Sequence, residues 1–289
     1  MHLAEISLSI ILPARNEAEP LAQLLPQLRQ RYPEAEIIVV NDGSTDDTKL
    51  LSGQHGVRVI SHPYGMGNGA AIKTGARAAR GQTLVFMDAD GQHDPADISR
   101  LLEMLDHGYD MVVGARNRSS QANFGRLTAN TIYNHIASWM VNHRVLDLTS
   151  GLRAVRTAKF REFLHLLPNG FSYPTTITMA FFRAGYPVAY VPIVAARRIG
   201  KSHIRPLRDG VRFFLIIFRI GTLYSPLKLF VPISVSFFTV GLAYYLYTYL
   251  TIGRLTNMTV LLFSTSVVVF LIGLVSEQIT SLLYSHNKN

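Results

Sequence analysis

The apolar residues of this chain follow two rhythms. Through the first two-thirds, short apolar runs alternate with segments whose apolar residues recur at helical spacing. Residues 6–12 form a β-branched run closed by Pro13, after which Leu21, Leu24, Leu25 and Leu28 return every three or four residues. Residues 36–40, 57–61, 84–87, 110–114 and 188–194 predict five further strands, with helices over 70–80, 124–145, 158–167 and 175–184. Strands alternating with helices predict an α/β, Rossmann-like domain with a mainly parallel sheet and ligands at the strand carboxyl ends.

The second rhythm starts near residue 229. Residues 229–253 carry no charge, nor do 255–276, and Arg254 stands alone between them. A bilayer core takes about 20 apolar residues per helix, so these runs predict a transmembrane hairpin with spans over 229–250 and 259–283. Two buried helices of a soluble protein are the competing reading. The expected organisation is an α/β domain over 1–204, an interfacial helix over 205–226 and the hairpin over 227–289.

Composition sharpens this picture at one place. The chain has 289 residues and a net charge of +9, and eight basic residues against one acid, Asp209, lie between 195 and 228. That stretch carries seven of the nine net charges, and the near-neutral remainder argues against a nucleic-acid surface. A basic belt before the first span predicts an integral membrane protein whose α/β domain and both termini are cytoplasmic, in the inner or plasma membrane of a prokaryote. It also attracts anionic membrane lipids. On a helix from Pro206 to Thr222, Arg208, Arg212 and Arg219 share one side, with Val211, Phe214 and Phe218 opposite. That suits an interfacial amphipathic helix, although a surface helix packed on the α/β domain has the same pattern. The absence of cysteine excludes disulfides and thiolate catalysis. Residues 1–12 lack a basic n-region, carry Glu5 and read as a first strand rather than a signal peptide.

Candidate chemistry concentrates in residues 84–95, where four apolar residues give way to Asp88, Asp90, Gln92 and Asp94. In extended geometry Asp88, Asp90 and Gln92 offer oxygens to one side at the strand's carboxyl end. Mg²⁺ or Mn²⁺ held by one or two carboxylates, with ligand phosphates completing the shell, suits such a set. A solvated Asx-rich turn accounts for the same residues on spacing alone. The glycines at 65, 67 and 69 are no dinucleotide fingerprint, because that motif belongs on the first strand of its unit. A Walker-type loop is absent.

Six motifs stand in order: Pro13-Ala-Arg-Asn-Glu17, Asn41-Asp-Gly-Ser-Thr-Asp46, Asp88-Ala-Asp-Gly-Gln92, Gly114-Ala-Arg116, Asp147-Leu-Thr-Ser-Gly151 and Arg198-Ile-Gly-Lys-Ser202. Together they resemble the family 2 glycosyltransferases of GT-A fold, and more narrowly the polyprenyl-phosphate glycosyltransferases, which include dolichyl-phosphate mannose synthases and undecaprenyl-phosphate glycosyltransferases. The resemblance implies a nucleotide-diphosphate sugar as donor and an undecaprenyl or dolichyl phosphate as acceptor. It implies that Pro13, Arg15, Glu17, Asp42, Asp88 and Asp90 bind the nucleotide sugar, with Glu17 and Asp42 on the nucleoside. Asp88, Asp90 and Gln92 would hold the metal. Arg116, Arg126 and Arg198 would handle the phosphates and, with Asp90, carry catalysis, while Asn130, Ser150 and Ser202 would line the acceptor phosphate site. Where the family pattern reads Gly-x-Ser-Lys, this chain has Gly200-Lys-Ser-His203, so a titrating side chain replaces a fixed charge. His203, Lys201 or Arg205 would then share the grip on that phosphate.

The residues also constrain the mechanism. Between Leu148 and Arg208 the only acid is Glu162, whereas transfer to a hydroxyl needs a base. A phosphate monoester, with a second pKa of about 6, is already mostly dianionic at neutral pH. Direct displacement with inversion at the anomeric carbon is therefore expected, and Asp147 would orient a sugar hydroxyl or an arginine, or simply form a turn. Two other readings are a hydroxyl-acceptor or polymerising transferase and a non-catalytic membrane-anchored nucleotide-sugar binder. The shared motifs fit GDP-mannose and UDP-glucose alike, and the aromatic-rich spans could pack against further copies in a homo-oligomer.

Overall fold

A computed structural model describes residues 7–116, 124–170, 172–194, 218 and 221–285, with the backbone alone for 124–130 and 283–285. Of the expected interfacial helix over 205–226, residues 205–217, 219 and 220 fall outside these residues, as do Arg198, Lys201, Ser202, His203 and Arg205. The chain divides into two compact units, residues 1–204 and 205–289.

The first unit is built on a seven-stranded sheet in the order β3-β2-β1-β4-β6-β5-β7. Its strands are β1 (Leu8–Ala14), β2 (Glu36–Asn41), β3 (Arg58–Ser61), β4 (Thr83–Phe86), β5 (Met111–Arg116), β6 (Arg153–Arg156) and β7 (Val188–Ile193). All pairings are parallel except those of β6, which runs antiparallel to both β4 and β5. The sheet is thus mainly parallel, as the alternating pattern predicts, with one reversed strand that the pattern does not reveal. Arg153-Ala-Val-Arg156 is four residues long with a charge at each end, so it carries no period-two signature.

Alternation along each strand sorts the core onto two faces. Ile10, Leu12, Val39, Val85 and Met87 pack with Leu21, Leu24, Leu25 and Leu28 of α1 (Ala18–Arg31) and with Ile98, Leu101 and Leu105 of α4 (Asp97–Asp106). On the opposite parity, Ile11 and Val40 meet α3 (Asn68–Ala78) at Gly75, where a Cβ would collide with Ile11. Phe86 lies 4.6 Å from Phe160 of α6 (Thr157–Glu162) between ring centroids. The remaining helices of the unit are α2 (Thr48–Gln54), α5 (Phe124–Val141) and α7 (Tyr173–Ala184). The amino edge of the sheet is tied shut: Glu36 accepts from Ser9 Oγ at 2.6 Å, the Arg80 amide at 2.8 Å and Arg58 at 3.0 Å. Burial disfavours the charged form of Glu36, but these donors outweigh it and hold its pKa below the usual carboxylate value.

The second unit is a helical hairpin of α8 (Pro226–Ile252) and α9 (Asn257–Ser285), turned at Gly253 with φ +67°. At about 1.5 Å per residue either helix exceeds the roughly 30 Å of a bilayer core, and both present large apolar side chains such as Leu250 and Leu282 outward. Small and polar residues form the seam. Ser234 and Ser266 each donate to the other's carbonyl at 2.9 Å, and their hydroxyls lie 3.1 Å apart. A Cβ on Gly273 would lie 2.7 Å from Phe230 Cβ, and one on Gly241 3.1 Å from Leu262 Cβ. In lipid such close approach replaces the hydrophobic drive for association. Gly273→Val is therefore expected to loosen the hairpin by about 1–3 kcal/mol, read as a lower melting temperature of the second unit in detergent, with Ser236→Ala on the exposed face as the unchanged control.

Candidate functional site

The carboxyl ends of β1, β2 and β4 open onto loops that are clasped to one another. Asn16, at φ +56°, accepts from the Thr45 amide at 2.8 Å, and its own amide donates to Ser44 Oγ at 3.0 Å. The Glu17 amide donates to Thr48 Oγ1 at 3.0 Å and the Ala18 amide to Asp46 at 3.2 Å. Pro20 has no N–H, so the start of α1 is already largely satisfied. At the start of α3 the Ala70 amide donates to Asn169 O at 3.1 Å. These bonds occupy the Glu17, Ala18 and Ala70 amides.

Asp42 is buried and organises the glycine loop. Its carboxylate accepts from the amides of Met66 at 2.7 Å and Gly67 at 2.8 Å, and it pairs with His62 Nδ1 at 2.7 Å. His62 Nε2 in turn lies 2.9 Å from Thr74 Oγ1. Burial raises the cost of ionising Asp42, yet His62 and the two amides outweigh it and depress its pKa. Arg15 is exposed, and its guanidinium lies against Gly65, where a Cβ would come within 2.6 Å of Nη1. Pro13 and Glu17 are half-buried at the same edge.

The acidic stretch after β4 meets the loop before β6. Phe86 pairs with Arg153 across the antiparallel ladder, and continuing that register sets Asp88 opposite Gly151. There the Asp88 carboxylate occupies the space a side chain would need: a Cβ on Gly151 would overlap both Oδ2 and Cγ of Asp88. Asp88 Oδ2 also lies 3.8 Å from His93 Nε2, an ion-pair rather than a hydrogen-bond distance. Burial works against the charged form of Asp88, but His93, Arg116 and Arg153 prevail and hold its pKa low. The Gln92 amide donates to Asp90 Oδ1 at 3.2 Å, an Asx turn. Asp90 and Gln92 are both half-buried.

Arg116 ends β5 and is gripped by Asp147. Nε donates to Oδ2 at 2.8 Å and Nη2 to Oδ1 at 3.1 Å, while Nη2 also reaches Thr149 Oγ1 at 2.6 Å. Of the roles open to Asp147 in the sequence, the geometry shows two: it orients an arginine, and it forms a turn by accepting from the Thr149 amide at 3.0 Å. Asn134 of α5 steadies Asp147 from both sides, donating to Leu146 O at 2.7 Å and accepting from the Leu148 amide at 3.2 Å. Burial lowers the Arg116 pKa, but Asp147, Asp88 and Asp90 more than reverse that. Ser150 is fully buried. Arg126 and Asn130 lie on α5, and their side chains are outside the described residues.

Sequence reasoning missed Arg153 and His93. Arg153 is fully buried and donates to Ser150 O at 2.7 Å and Pro174 O at 3.0 Å. Burial lowers its pKa, against the pull of Tyr173, Tyr190, Asp147 and Asp88. His93 Nδ1, Ser150 Oγ, Arg153 Nε and the Tyr173 hydroxyl are buried without a hydrogen-bond partner. Strand β6, which the pattern does not reveal, brings Arg153 and Ser150 to this edge, whereas His93 stands five residues after Asp88 in the same stretch.

No group of three or more His, Asp or Glu side chains among the described residues forms a metal cage. Two carboxylates, one stationed by Gly151, still fit a hard divalent ion whose remaining ligands come from phosphates and water. Residues 9–164 match the model of the family described as Glycosyl transferase family 2. The chain belongs to glycosyltransferase family 2. Residues 225–282 of this glycosyltransferase also match the GtrB C-terminal hairpin. It is 30% identical over 208 residues to the polyprenol monophosphomannose synthase of Mycolicibacterium smegmatis, covering 65% of this chain and 77% of that one. It is 29% identical over 210 residues to the dolichyl-phosphate hexose transferase of Haloferax volcanii, covering 70% and 89%. Among solved structures, glucosyl-3-phosphoglycerate synthase from Mycobacterium tuberculosis, in complex with Mn²⁺, UDP and phosphoglyceric acid, shares the fold. The TM-score is 0.60 at 24% identity, over 76% of this chain and 78% of that one. The family, the GT-A-like α/β fold and the membrane hairpin that the motifs and apolar runs imply are thereby borne out.

Two outcomes test this geometry in the transferase. Gly151→Ala should displace the Asp88 carboxylate and lower kcat/KM by about 100-fold, the cost of misplacement on the order of an ångström, with an unchanged circular dichroism spectrum. Asp42 has a depressed folded pKa, so its stabilisation is complete above the ordinary carboxylate value of about 4 and is lost as pH falls through the folded value. Asp42→Asn should therefore lower the melting temperature at pH 7 and flatten its fall below about pH 4, as followed by thermal melts across pH.

Proposed function

We propose that this glycosyltransferase moves a hexose from a nucleotide-diphosphate sugar, GDP-mannose or UDP-glucose, to a polyprenyl phosphate at the cytoplasmic membrane face. The product is a polyprenyl-phosphate hexose with inverted anomeric configuration. The observation that carries this reading is how the acids are used. Asp147 is committed to Arg116 and Asp42 to the glycine loop. Glu162 accepts from the Tyr186 hydroxyl at 2.6 Å and pairs with Lys159 at 3.4 Å. Asp88 and Asp90 suit a metal, so none of these five carboxylates is left as a base for a hydroxyl acceptor. A dianionic phosphate acceptor needs none. The names of the Mycolicibacterium and Haloferax relatives point to the same acceptor class.

In this reading an acceptor phosphate oxygen attacks the anomeric carbon as the bond to the nucleoside diphosphate breaks. Arg116, fixed in direction by Asp147, meets the charge that builds on the departing group. Asp88 and Asp90, with Gln92 beside them, would hold Mg²⁺ or Mn²⁺, which supplies Lewis-acid stabilisation when bound. Arg126, Asn130, Arg198, Lys201, Ser202 and His203 are the proposed grip on the acceptor phosphate. The lipid tail of such an acceptor stays in the bilayer while its phosphate sits at headgroup level, which gives a catalytic unit reason to carry a membrane hairpin.

Asp90→Asn should abolish transfer to undecaprenyl phosphate without changing the melting temperature. A panel of radiolabelled nucleotide sugars assayed with that acceptor should give a lipid-soluble product with at least one donor. Polymer, or label released only as free sugar, would overturn the assignment of acceptor.

A further inference from the structure

Arg153 leads the largest fully buried side chains of the chain. Its guanidinium donates to Ser150 O at 2.7 Å, Pro174 O at 3.0 Å and Thr178 Oγ1 at 3.2 Å, all neutral, and its Nε has no partner. The Tyr173 ring stands 5.8 Å from its Cζ. Among the described residues no carboxylate forms an ion pair with it. A buried guanidinium without a counter-ion is costly, and neutral hydrogen bonds return only part of that cost. The cost is borne next to the acidic stretch: Arg153 holds Ser150, and Gly151, the next residue, carries the Asp88 carboxylate against its Cα.

We propose that Arg153 is a fixed counter-charge that makes metal binding conditional on the donor. The inference rests on the metal and donor assignments made above. Asp88 and Asp90 bring two negative charges to the site, and Arg116 is neutralised by Asp147. His93, 3.8 Å from Asp88, is charged only when protonated, so among the described residues the permanent cation beside them that no carboxylate pairs is Arg153. With no metal it offsets part of the repulsion between the two carboxylates. A divalent ion entering alone meets that positive charge at close range in a poorly solvated wall, where Coulomb terms are strong. A nucleoside diphosphate arriving with the ion supplies the missing negative charge. The carboxylates then hold the ion well only as part of the donor complex, and Arg153 acts as a positioning residue that need not touch substrate.

The test is Mn²⁺ binding to the full chain in detergent, read by electron paramagnetic resonance, with MnCl₂ alone and with GDP or UDP added. Wild type should bind Mn²⁺ about tenfold or more tightly with one of the nucleotides. Arg153→Gln, which keeps a donor but loses the charge, should tighten binding of Mn²⁺ alone by about tenfold, the size expected of one charge acting over several ångströms. It should also shrink the nucleotide effect. Arg153→Lys, which keeps the charge, should behave as wild type. The inference is overturned if Arg153→Gln binds Mn²⁺ alone no more tightly than wild type, or if both variants lose Mn²⁺ alike, the result of a packing role. Should Arg153→Gln fail to fold, wild type binding Mn²⁺ equally with and without either nucleotide overturns it instead. Asp90→Asn separates the two levels: undiminished Mn²⁺ binding there removes the metal assignment itself and this inference with it.

Discussion

The site depends on one steric constraint, the absence of a side chain at Gly151. Because β6 runs antiparallel to β4, the residue beyond the end of one strand faces the residue before the start of the other, and Asp88 lies directly against Gly151. A parallel neighbour would have led the chain away from that edge instead of back across it. The reversal also delivers Asp147 and Thr149 to Arg116 at the end of β5, since β6 pairs with β5 on its other side. One short strand thus brings three functional segments to a common point, and the loop preceding it can accept little variation in shape.

A second constraint is the economy of hydrogen-bond donors at the same edge. The Glu17 and Ala18 amides at the start of α1 are spent on Thr48 and Asp46, the Ala70 amide of α3 on Asn169, and those of Met66 and Gly67 on Asp42. These bonds hold the loops in one arrangement relative to the sheet. They also take those five amides away from anion binding, the use phosphate-binding glycine loops make of theirs. Charged side chains stand at the same edge: an exposed Arg15, a clamped Arg116 and the carboxylates of Asp88 and Asp90. Rigidity and charge selectivity are here the same set of bonds seen from two sides.

Much of this was legible in the chain itself. Periodicity located six of the seven strands and both membrane helices, and turn residues follow several of their ends, as residues 42–46 follow β2 and Gly253 follows α8, although β1 runs on through Pro13 to Ala14. The pairing of Asp88 with Asp90 was visible because both belong to one local stretch. What could not be read was anything that depends on strand direction. Arg153 looks like an ordinary surface arginine in sequence, and its burial follows only from the place of β6 between β4 and β5. Likewise nothing local showed that Asp147, besides forming its turn with Thr149, holds Arg116 at 2.8 Å.

The hairpin seam has a temporal side. The Leu227 amide at the start of α8 lies 3.4 Å from Glu277 Oε2, a partner fifty residues later in the chain. The Ser234–Ser266 exchange likewise joins positions 32 residues apart. A ribosome releases α8 well before either partner exists. The first helix must therefore wait, incompletely satisfied, until the second has been made, and the anchor matures as a pair rather than one helix at a time.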